Sequence, residues 1–181
     1  MPKIIAFSGK RGVGKTTAAL HLVEKYGFKR VSFADRLKEI GCMLFPFKNQ
    51  DLSTKGKEKP FSVYDWTPRD FLISLGQFMR YFDPDYWVKA SNLDKLEGRV
   101  VIDDLRFPNE AEYIKSLGGI IIRIERYENL NIYGKNLDDP SETSMDNYKY
   151  DHKIDDCRNV SMDDLTSSLD DLAKQLGIRR W

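Results

Sequence analysis

Apolar positions follow two different periods along this chain. Short apolar runs of the length that a buried strand needs occur at residues 3–8, 28–33, 99–104, 120–124 and 152–156. Between them, apolar side chains recur every three or four positions, which indicates helices that bury one face. This alternation predicts a three-layer α/β sandwich, in which a mostly parallel five-stranded sheet has helices on both faces.

The predicted helices differ in how clearly they begin. The sharpest start is Thr67-Pro68-Arg69-Asp70, where Thr67 is the N-cap, Pro68 suits the first helical position and Asp70 completes a capping pair. The remaining helices are predicted at residues 15–25, 35–44 and 109–117, from residue 84 onwards, and from a cap at Ser161 to a stop at Gly177.

Two stretches lose this periodicity. Residues 46–60 contain four lysines and few apolar positions, which is typical of a surface loop. Residues 126–150 are polar, and a loop of that length is typical of a lid over an active site. We therefore predict one domain over residues 1–181, with a helical region at about 35–98 and a lid-like loop at about 126–150.

The most informative segment is a glycine-rich loop between the first predicted strand and the first predicted helix. It matches the G-x-x-x-x-G-K-[ST] pattern of the Walker A phosphate-binding loop, or P-loop, in full. Backbone N–H groups at such a junction converge on one point and bind phosphate. Lys15 would reach the β- and γ-phosphates of a nucleoside triphosphate, and the Thr16 hydroxyl would hold Mg²⁺. The residues expected at ATP are Gly9, Lys10, Arg11, Gly12, Val13, Gly14, Lys15, Thr16 and Thr17.

Acidic side chains follow two of the predicted strands, at the edge where parallel sheets bind ligands. Asp103 and Asp104 end the run at 99–104, and a carboxylate there suits the Mg²⁺ ion that bridges the phosphates of ATP. Asp35 follows the run at 28–33 and has two interpretations. It orients a second substrate, or it caps the next helix.

Arginines are frequent at predicted strand ends and helix starts, namely at Arg36, Arg69, Arg80, Arg106, Arg123 and Arg126. A guanidinium group binds phosphate through two parallel hydrogen bonds, so several in one cleft suit two phosphate-bearing substrates. Arg69 and Arg106 are the best placed for an acceptor phosphate.

Aromatic side chains either stack on a nucleobase or pack in the core; the candidates are Trp66, Tyr86, Trp87 and Phe107.

Composition narrows the class of protein further. The 181 residues are 41% hydrophobic and 31% charged, with a formal net charge of +1, so no strong field attracts nucleic acid or a membrane. No run suits a transmembrane helix or a signal peptide. Cys42 and Cys157 lie far apart and suit two reduced thiols. These features predict a cytoplasmic protein.

These residues resemble the bacteriophage-type deoxynucleoside monophosphate kinases of the P-loop nucleoside monophosphate kinase superfamily. The resemblance covers most of the chain, and its most specific part is Asp104-Leu105-Arg106-Phe107-Pro108-Asn109-Glu110. The other matching segments are the P-loop and residues 32–38, 67–70, 85–88, 118–126 and 140–142. The helix after Arg69 departs from the family pattern, with Ile73 and Gln77-Phe78 where the family carries a Gln and a Thr-Glu pair.

The resemblance implies Mg²⁺-assisted transfer of the γ-phosphate of ATP to a deoxynucleoside 5′-monophosphate. It implies catalytic roles for Lys15, Asp35, Arg106 and Arg126, and metal binding by Thr16 and Asp104. The acceptor-binding residues would be Asp35, Arg36, Lys38, Arg69, Gln77, Arg80, Trp87, Asp104 and Arg106. The helical region at 35–98 would then hold the acceptor. The expected partners are small nucleotides, and neither nucleic acid nor a membrane is expected to bind. The protein is either a monomer or a homodimer. If it is encoded by a phage, it would act in the host cytoplasm.

Other functions remain open on the sequence. The position of Asp35 also resembles dephospho-coenzyme A kinase, and a phage kinase acting on a hydroxymethylated base in DNA is a third phosphotransferase. From a different class, partition-type switch ATPases carry a K-G-G-V-G-K-T loop, which residues 10–16 nearly reproduce with Arg11 in place of the first Gly. The short chain and the lack of their second acidic motif favour a kinase.

Overall fold

The computed structural model describes residues 2–48, 50–53, 56–60, 65–126, 139–156 and 162–180. Its strands are β1 (Ile4–Ser8), β2 (Lys29–Val31), β3 (Val100–Leu105), β4 (Ile120–Arg126) and β5 (His152–Asp156). Its helices are α1 (Lys15–Tyr26), α2 (Phe33–Leu44), α3 (Pro68–Phe82), α4 (Tyr86–Ser91), α5 (Pro108–Ser116), α6 (Pro140–Thr143) and α7 (Met162–Gln175). Residues 1–32 and 93–181 form one compact unit, and residues 33–92 form a second.

The sheet belongs to the first unit and has the strand order β2-β3-β1-β4-β5. Every pair of neighbouring strands is parallel, which confirms the predicted α/β sheet. Ser8, at the end of β1, lies opposite Leu105 of β3 and Arg123 of β4. The carboxyl ends of these three strands therefore meet at one edge, directly beside the loop that follows Ser8.

Helices cover the sheet because the strand side chains are apolar in both directions. Phe7, Val101 and Ile122 pack with Leu22 of α1 and Leu169 of α7 in one core cluster. The strand residues between them, such as Ile102 and Ile121, are completely buried as well, and α5 packs on β4. Each buried aliphatic side chain of this size contributes about 1.5–3 kcal/mol of hydrophobic free energy.

The second unit, residues 33–92, consists of α2, α3 and α4. The capping box predicted at the start of α3 is present: the Thr67 hydroxyl accepts from the Asp70 N–H, and the Asp70 carboxylate accepts from the Thr67 N–H at 2.9 Å. Gly41 of α2 leaves room for the rings of Phe47 and Phe71. These rings pack against each other and against Phe45 and Trp66. Aromatic packing therefore stabilises this small unit.

Several predicted boundaries were wrong. Strand β2 ends at Val31, because Ser32 turns its hydroxyl to Asp104 and Phe33 already begins α2. Asp35 is thus the third residue of α2 and not its N-cap residue, which corrects the predicted helix start. Helix α4 begins at Tyr86 and ends at Ser91, because the next residue, Asn92, has a positive φ of 48°. The predicted cap at Ser161 and much of the predicted lid, at residues 127–138, lie outside the described residues.

No helix within the described ranges combines the length and the apolar composition needed to cross a lipid bilayer.

Candidate active site

The P-loop joins β1 to α1 and packs closely on the end of β4. Gly9 has φ +151°, and a Cβ atom there would lie 2.5 Å from the carbonyl oxygen of Ile124. Only glycine fits this approach without moving the strand. Gly14 precedes α1 with φ +101°, so Lys15 is the first residue of the helix. The sequence thus forms the strand–loop–helix junction that a phosphate-binding loop requires.

Lys15 is buried inside this loop, with 8% of its surface exposed. Its Nζ donates to the carbonyl oxygens of Gly9 at 2.6 Å and Lys10 at 2.8 Å. Burial lowers the pKa of Lys15 well below its ordinary value, and the positive charge of Arg106 lowers this pKa further. A cation in these surroundings is stabilised by an incoming anion, which is what a phosphate group supplies.

The two acids near the carboxyl end of β3, Asp103 and Asp104, have different partners. Asp103 is buried, and its Oδ2 accepts from Arg30 Nε of β2 at 2.9 Å. The other oxygen, Oδ1, is buried with no hydrogen-bond donor among the described residues. Asp104 is half-buried and accepts from the Ser32 hydroxyl at 2.6 Å. The negative charge of Asp103 acts on Lys15 and raises the pKa of that lysine.

Arg106 follows β3, and its side chain contacts two residues of α6. Its Nη1 donates to Glu142 Oε1 at 2.8 Å and to the Ser141 carbonyl oxygen at 3.2 Å. Its backbone N–H donates to Glu110 Oε2 at 2.9 Å, so Glu110 supports the backbone rather than the guanidinium group. The Glu142 carboxylate also accepts from the Arg11 N–H of the P-loop at 2.9 Å. Glu142 therefore joins the P-loop to Arg106.

Arg123 of β4 is a second arginine beside the P-loop. It is buried, its Nη1 lies 3.2 Å from the Tyr150 hydroxyl, and its Nη2 lies 3.2 Å from Asp146 Oδ1. Asp146 also binds Lys10 Nζ of the P-loop at 2.6 Å. The Arg123 charge contributes to the lowered pKa of Lys15. Three cations, Lys15, Arg106 and Arg123, therefore gather at the same edge of the sheet.

The candidate acceptor residues of the second unit have local partners. Lys38 pairs with Asp35 at 3.2 Å, Arg36 pairs with Glu39 at 2.7 Å, and Arg69 pairs with Glu58. Within this unit, Trp87 is 3% exposed and donates its indole N–H to the Gly76 carbonyl oxygen at 3.1 Å, which gives it a packing role. Arg80 Nη1 donates to the same carbonyl oxygen at 3.4 Å, and Gln77 is exposed.

The sequence did not predict all the residues of this site. It assigned no role to Glu142 or Asp146, because they follow a long polar stretch and have no periodic pattern. The only signal for Glu142 was its place in the family-like string Pro140-Ser141-Glu142. Arg126 was chosen from β4 as catalytic; its side chain lies outside the described part of the structure, whereas Arg123 contacts the network beside the P-loop.

The residues at this edge suit Mg²⁺ in particular. Within the described ranges, no three His, Cys, Asp or Glu side chains cluster as a metal cage would need. Protein-bound Mg²⁺ commonly uses one or two carboxylates together with substrate phosphates and water. The exposed Thr16 at the start of α1, the Asp103 oxygen without a donor and the half-buried Asp104 provide ligands of that kind.

Comparisons with known proteins identify the family of this chain. A protein of Acanthamoeba polyphaga mimivirus, named "Putative deoxynucleotide monophosphate kinase", is 33% identical over 144 residues, covering 68% of this chain and 74% of that protein. An uncharacterized protein of Ictalurid herpesvirus 1, ORF77, is 28% identical over 177 residues, covering 92% of this chain and 67% of that protein.

Among solved structures, shikimate kinase from Acinetobacter baumannii in complex with shikimate matches with a TM-score of 0.52 and 15% identity. The match covers 99% of this chain and 97% of that chain, and at this identity it shows the fold alone. No family model matches the chain. The similarity to the mimivirus protein extends over most of both sequences. The chain therefore belongs to the deoxynucleotide monophosphate kinase family, and it is a nucleotide-binding transferase of the kinase type.

Proposed function

We propose that this protein transfers the γ-phosphate of ATP to a deoxynucleoside 5′-monophosphate, with Mg²⁺ bound, and so forms the diphosphate. The observation that carries the proposal is the group of three cations, Lys15, Arg106 and Arg123, beside the P-loop. Arg106 and Arg123 both act against the charge of Lys15. Holding like charges together costs free energy, and several phosphate groups at the site offset that cost.

The donor half of the proposal rests on the P-loop. ATP would bind to the backbone of residues 9–17, and Lys15 would exchange its contacts with the Gly9 and Lys10 carbonyl oxygens for phosphate oxygens. In the transfer, an oxygen of the acceptor phosphate forms a bond to the γ-phosphorus. The bond to the oxygen bridging the β- and γ-phosphates breaks, and ADP leaves with the electron pair.

Metal binding would involve Thr16 and Asp104, with Asp103 as an additional carboxylate at the end of β3. Mg²⁺ bound there would neutralise charge on the transferring phosphoryl group. A monophosphate has a second pKa of about 6, so at neutral pH its attacking oxygen is already ionised. The protein then needs to position and neutralise charge rather than remove a proton.

The acceptor half rests on Arg106. Among the described residues, its guanidinium group makes contacts only through Nη1, to Ser141 and Glu142. Nε and Nη2 are therefore available as a pair of donors for the acceptor phosphate. The resemblance adds residues of the second unit as further acceptor ligands, and we keep this as part of the proposal for Asp35, Arg36, Lys38, Arg69, Gln77 and Arg80. Trp87 is left out, because it is buried and its indole N–H is bound to the Gly76 carbonyl oxygen. Arg126 is kept as a candidate for neutralising the transferring group.

The proposal is tested with a panel of ribo- and deoxynucleoside monophosphates, each supplied with ATP and Mg²⁺, with ADP release as the readout. We expect one or more deoxynucleoside monophosphates to raise ADP release well above the rate with ATP alone. Dephospho-coenzyme A and duplex DNA with a hydroxymethylated base are run in parallel. If no nucleoside monophosphate stimulates turnover, the proposed function is wrong. A high rate with ATP alone would favour a switch ATPase.

A further inference from the structure

Glu142 occupies an unusual position for an acidic side chain. It lies on the four-residue helix α6, is 9% exposed, and has both carboxylate oxygens engaged. Oε2 accepts from the backbone N–H of Arg11 at 2.9 Å, and Oε1 lies 2.8 Å from Arg106 Nη1. One buried carboxylate thus contacts the P-loop and the arginine that we assign to the acceptor phosphate.

A buried carboxylate is stable only where hydrogen bonds and opposite charge compensate for lost hydration. The contacts of Glu142 with the Arg11 N–H and with Arg106 provide this compensation, and they also restrain the positions of these two partners. The Arg106 guanidinium is anchored on its Nη1 side by Glu142 and by the Ser141 carbonyl oxygen. Its orientation, and therefore the direction of Nε and Nη2, depends on where α6 lies.

Contacts around α6 determine its position relative to the P-loop. Lys10 Nζ donates to the Glu142 carbonyl oxygen at 2.7 Å and binds Asp146 Oδ2 at 2.6 Å. The Asp139 side chain accepts from the Ser141 N–H at 2.8 Å and so closes the start of the helix. Asp146 is bound in turn by Arg123. The segment that presents Glu142 is therefore attached to the P-loop at more than one point.

We propose that Glu142 is a positioning residue that holds the Arg106 guanidinium at a set place relative to the P-loop. The proposal rests on the proposed function, since it concerns how the acceptor phosphate and the donor phosphates are aligned. A displacement of about 1 Å between reacting groups lowers the rate of transfer strongly. Glu142 acts through Arg106 and does not contact the reacting atoms.

The structure also suggests the opposite role, which the experiment must separate. A carboxylate on a P-loop N–H could stand in for a phosphate and leave when the nucleotide binds. In that case Glu142→Gln would remove a competing anion. The variant would bind pyrophosphate, a probe for the P-loop, more tightly than the wild type and would lose no activity.

The experiment compares Glu142→Gln with Glu112→Gln. Glu112 is exposed on α5 and accepts from the Tyr148 hydroxyl at 2.9 Å, so it contacts the same segment away from Arg106 and the P-loop. We expect Glu142→Gln to lower kcat/KM for the monophosphate about tenfold to a hundredfold, the scale of one charge-assisted hydrogen bond. Glu112→Gln should leave it unchanged.

Two further measurements distinguish positioning from general support of the fold. In an Arg106→Lys background, Glu142→Gln should cause little additional loss, because both changes affect the same guanidinium group. Equal losses in both backgrounds would overturn the proposal. The second measurement is the ¹⁵N spectrum of the arginine side chains. Restricted Nη signals of Arg106, identified by their loss in Arg106→Lys, should be present in the wild type and broadened in Glu142→Gln.

The spectrum also separates failure of this inference from failure of the proposed function. If the wild type phosphorylates no nucleotide, the proposed function is wrong, and the Arg106 signals still decide whether Glu142 restrains the guanidinium. Unchanged Arg106 signals in Glu142→Gln would overturn the inference. Tighter pyrophosphate binding with undiminished turnover would do so as well.

Discussion

Lys15 is a charged side chain in surroundings that disfavour charge. It is 8% exposed, its hydrogen-bond partners are neutral carbonyl oxygens, and Arg106 and Arg123 add positive charge nearby. Burial, the largest cause, lowers the pKa of Lys15 well below its ordinary value. A bound anion would therefore stabilise the charged side chain of Lys15. Without an anion, the buried charge lowers the stability of the folded protein.

We therefore expect Lys15→Met to lose activity and gain stability. The rate of transfer should fall by about a hundredfold or more, which is the effect of losing one preorganised hydrogen-bond donor. A lowered lysine pKa means that the folded state disfavours the protonated form. The variant should therefore be more stable than the wild type at pH 7, and the difference should shrink as pH rises toward the unfolded pKa of about 10.4.

Steady-state kinetics and urea unfolding at pH 7 and pH 9.5 measure both effects of Lys15→Met. A variant that is less stable than the wild type at pH 7 would show that the hydrogen bonds to Gly9 and Lys10 outweigh the cost of burying the charge. Near-normal turnover would remove Lys15 from the mechanism.

Arg106 tests whether geometry or charge matters at the acceptor phosphate. Arg106→Lys keeps the charge and loses the planar pair of donors. We expect kcat/KM for the monophosphate to fall by about 1.5–3 kcal/mol in transition-state free energy, with a much smaller change in ATP binding. The control is Arg99→Lys, since Arg99 donates to the Tyr26 and Arg179 carbonyl oxygens in the same unit. Unchanged acceptor kinetics in Arg106→Lys would remove Arg106 from the site.

At the scale of elements, α1 and α7 are joined by one carboxylate. Asp170 of α7 accepts from the Tyr26 hydroxyl at 2.8 Å, contacts His21 Nε2 at 2.7 Å and pairs with Lys25. Burial alone would raise the pKa of Asp170, but the hydrogen bonds from Lys25, His21 and Tyr26 outweigh it and hold the pKa well below its usual range. Asp170 therefore holds the C-terminal part of the P-loop helix against α7.

Asp170→Asn should destabilise the protein at neutral pH by about 2 kcal/mol, the scale of charge-assisted hydrogen bonds. Because the folded pKa is depressed, the contribution is complete above the unfolded pKa of about 3.9 and is lost as pH falls through the folded pKa. Urea unfolding at pH 7, 5 and 3.5 should therefore give a smaller difference at the lowest pH. Asp171→Asn, at the exposed neighbouring position, is the control; an equal loss there would argue against this role.

The start of α3 allows a separate prediction. Thr67→Ala removes the hydroxyl that accepts from the Asp70 N–H. The expected cost is about 1 kcal/mol in the free energy of unfolding, with faster hydrogen exchange in the first turn of α3, where Arg69 lies. Ser168→Ala, at an exposed position of α7, should not destabilise. Unaltered exchange in the first turn of α3 would show that its other capping contacts are sufficient.

At the scale of the whole molecule, the cations beside the P-loop are a local feature of a nearly neutral protein. The formal net charge is +1. Non-specific binding to DNA needs many Lys or Arg contacts to phosphates, so we expect an excess of duplex DNA at physiological salt to leave phosphorylation of a monophosphate unchanged. Labelled ATP should transfer no label to the DNA. Strong inhibition by DNA would instead favour a polymer substrate.

Much of the fold was predictable because local patterns are strong in an α/β protein. The parallel sheet and the starts of α1 and α3 follow from apolar runs, a glycine-rich loop and a capping box. The short strand β2 was less accessible to such reasoning. Phe33 is apolar and extends the run at 28–33, yet it begins a helix and is 5% exposed there. An apolar residue buries equally well in either element, so periodicity alone cannot distinguish them.

The amino-acid sequence by itself determined the P-loop, the family and the chemistry expected of Lys15 and Thr16. The P-loop and its chemistry depend on residues within one short segment, where spacing along the chain specifies geometry, and the family follows from several such segments along the chain. The tertiary structure alone decided that Glu142 and Asp146 contact the P-loop, and that Arg123 lies beside Lys15. These partners are separated by more than one hundred residues, and pairing at that distance depends on how the strands and helices pack rather than on any local pattern.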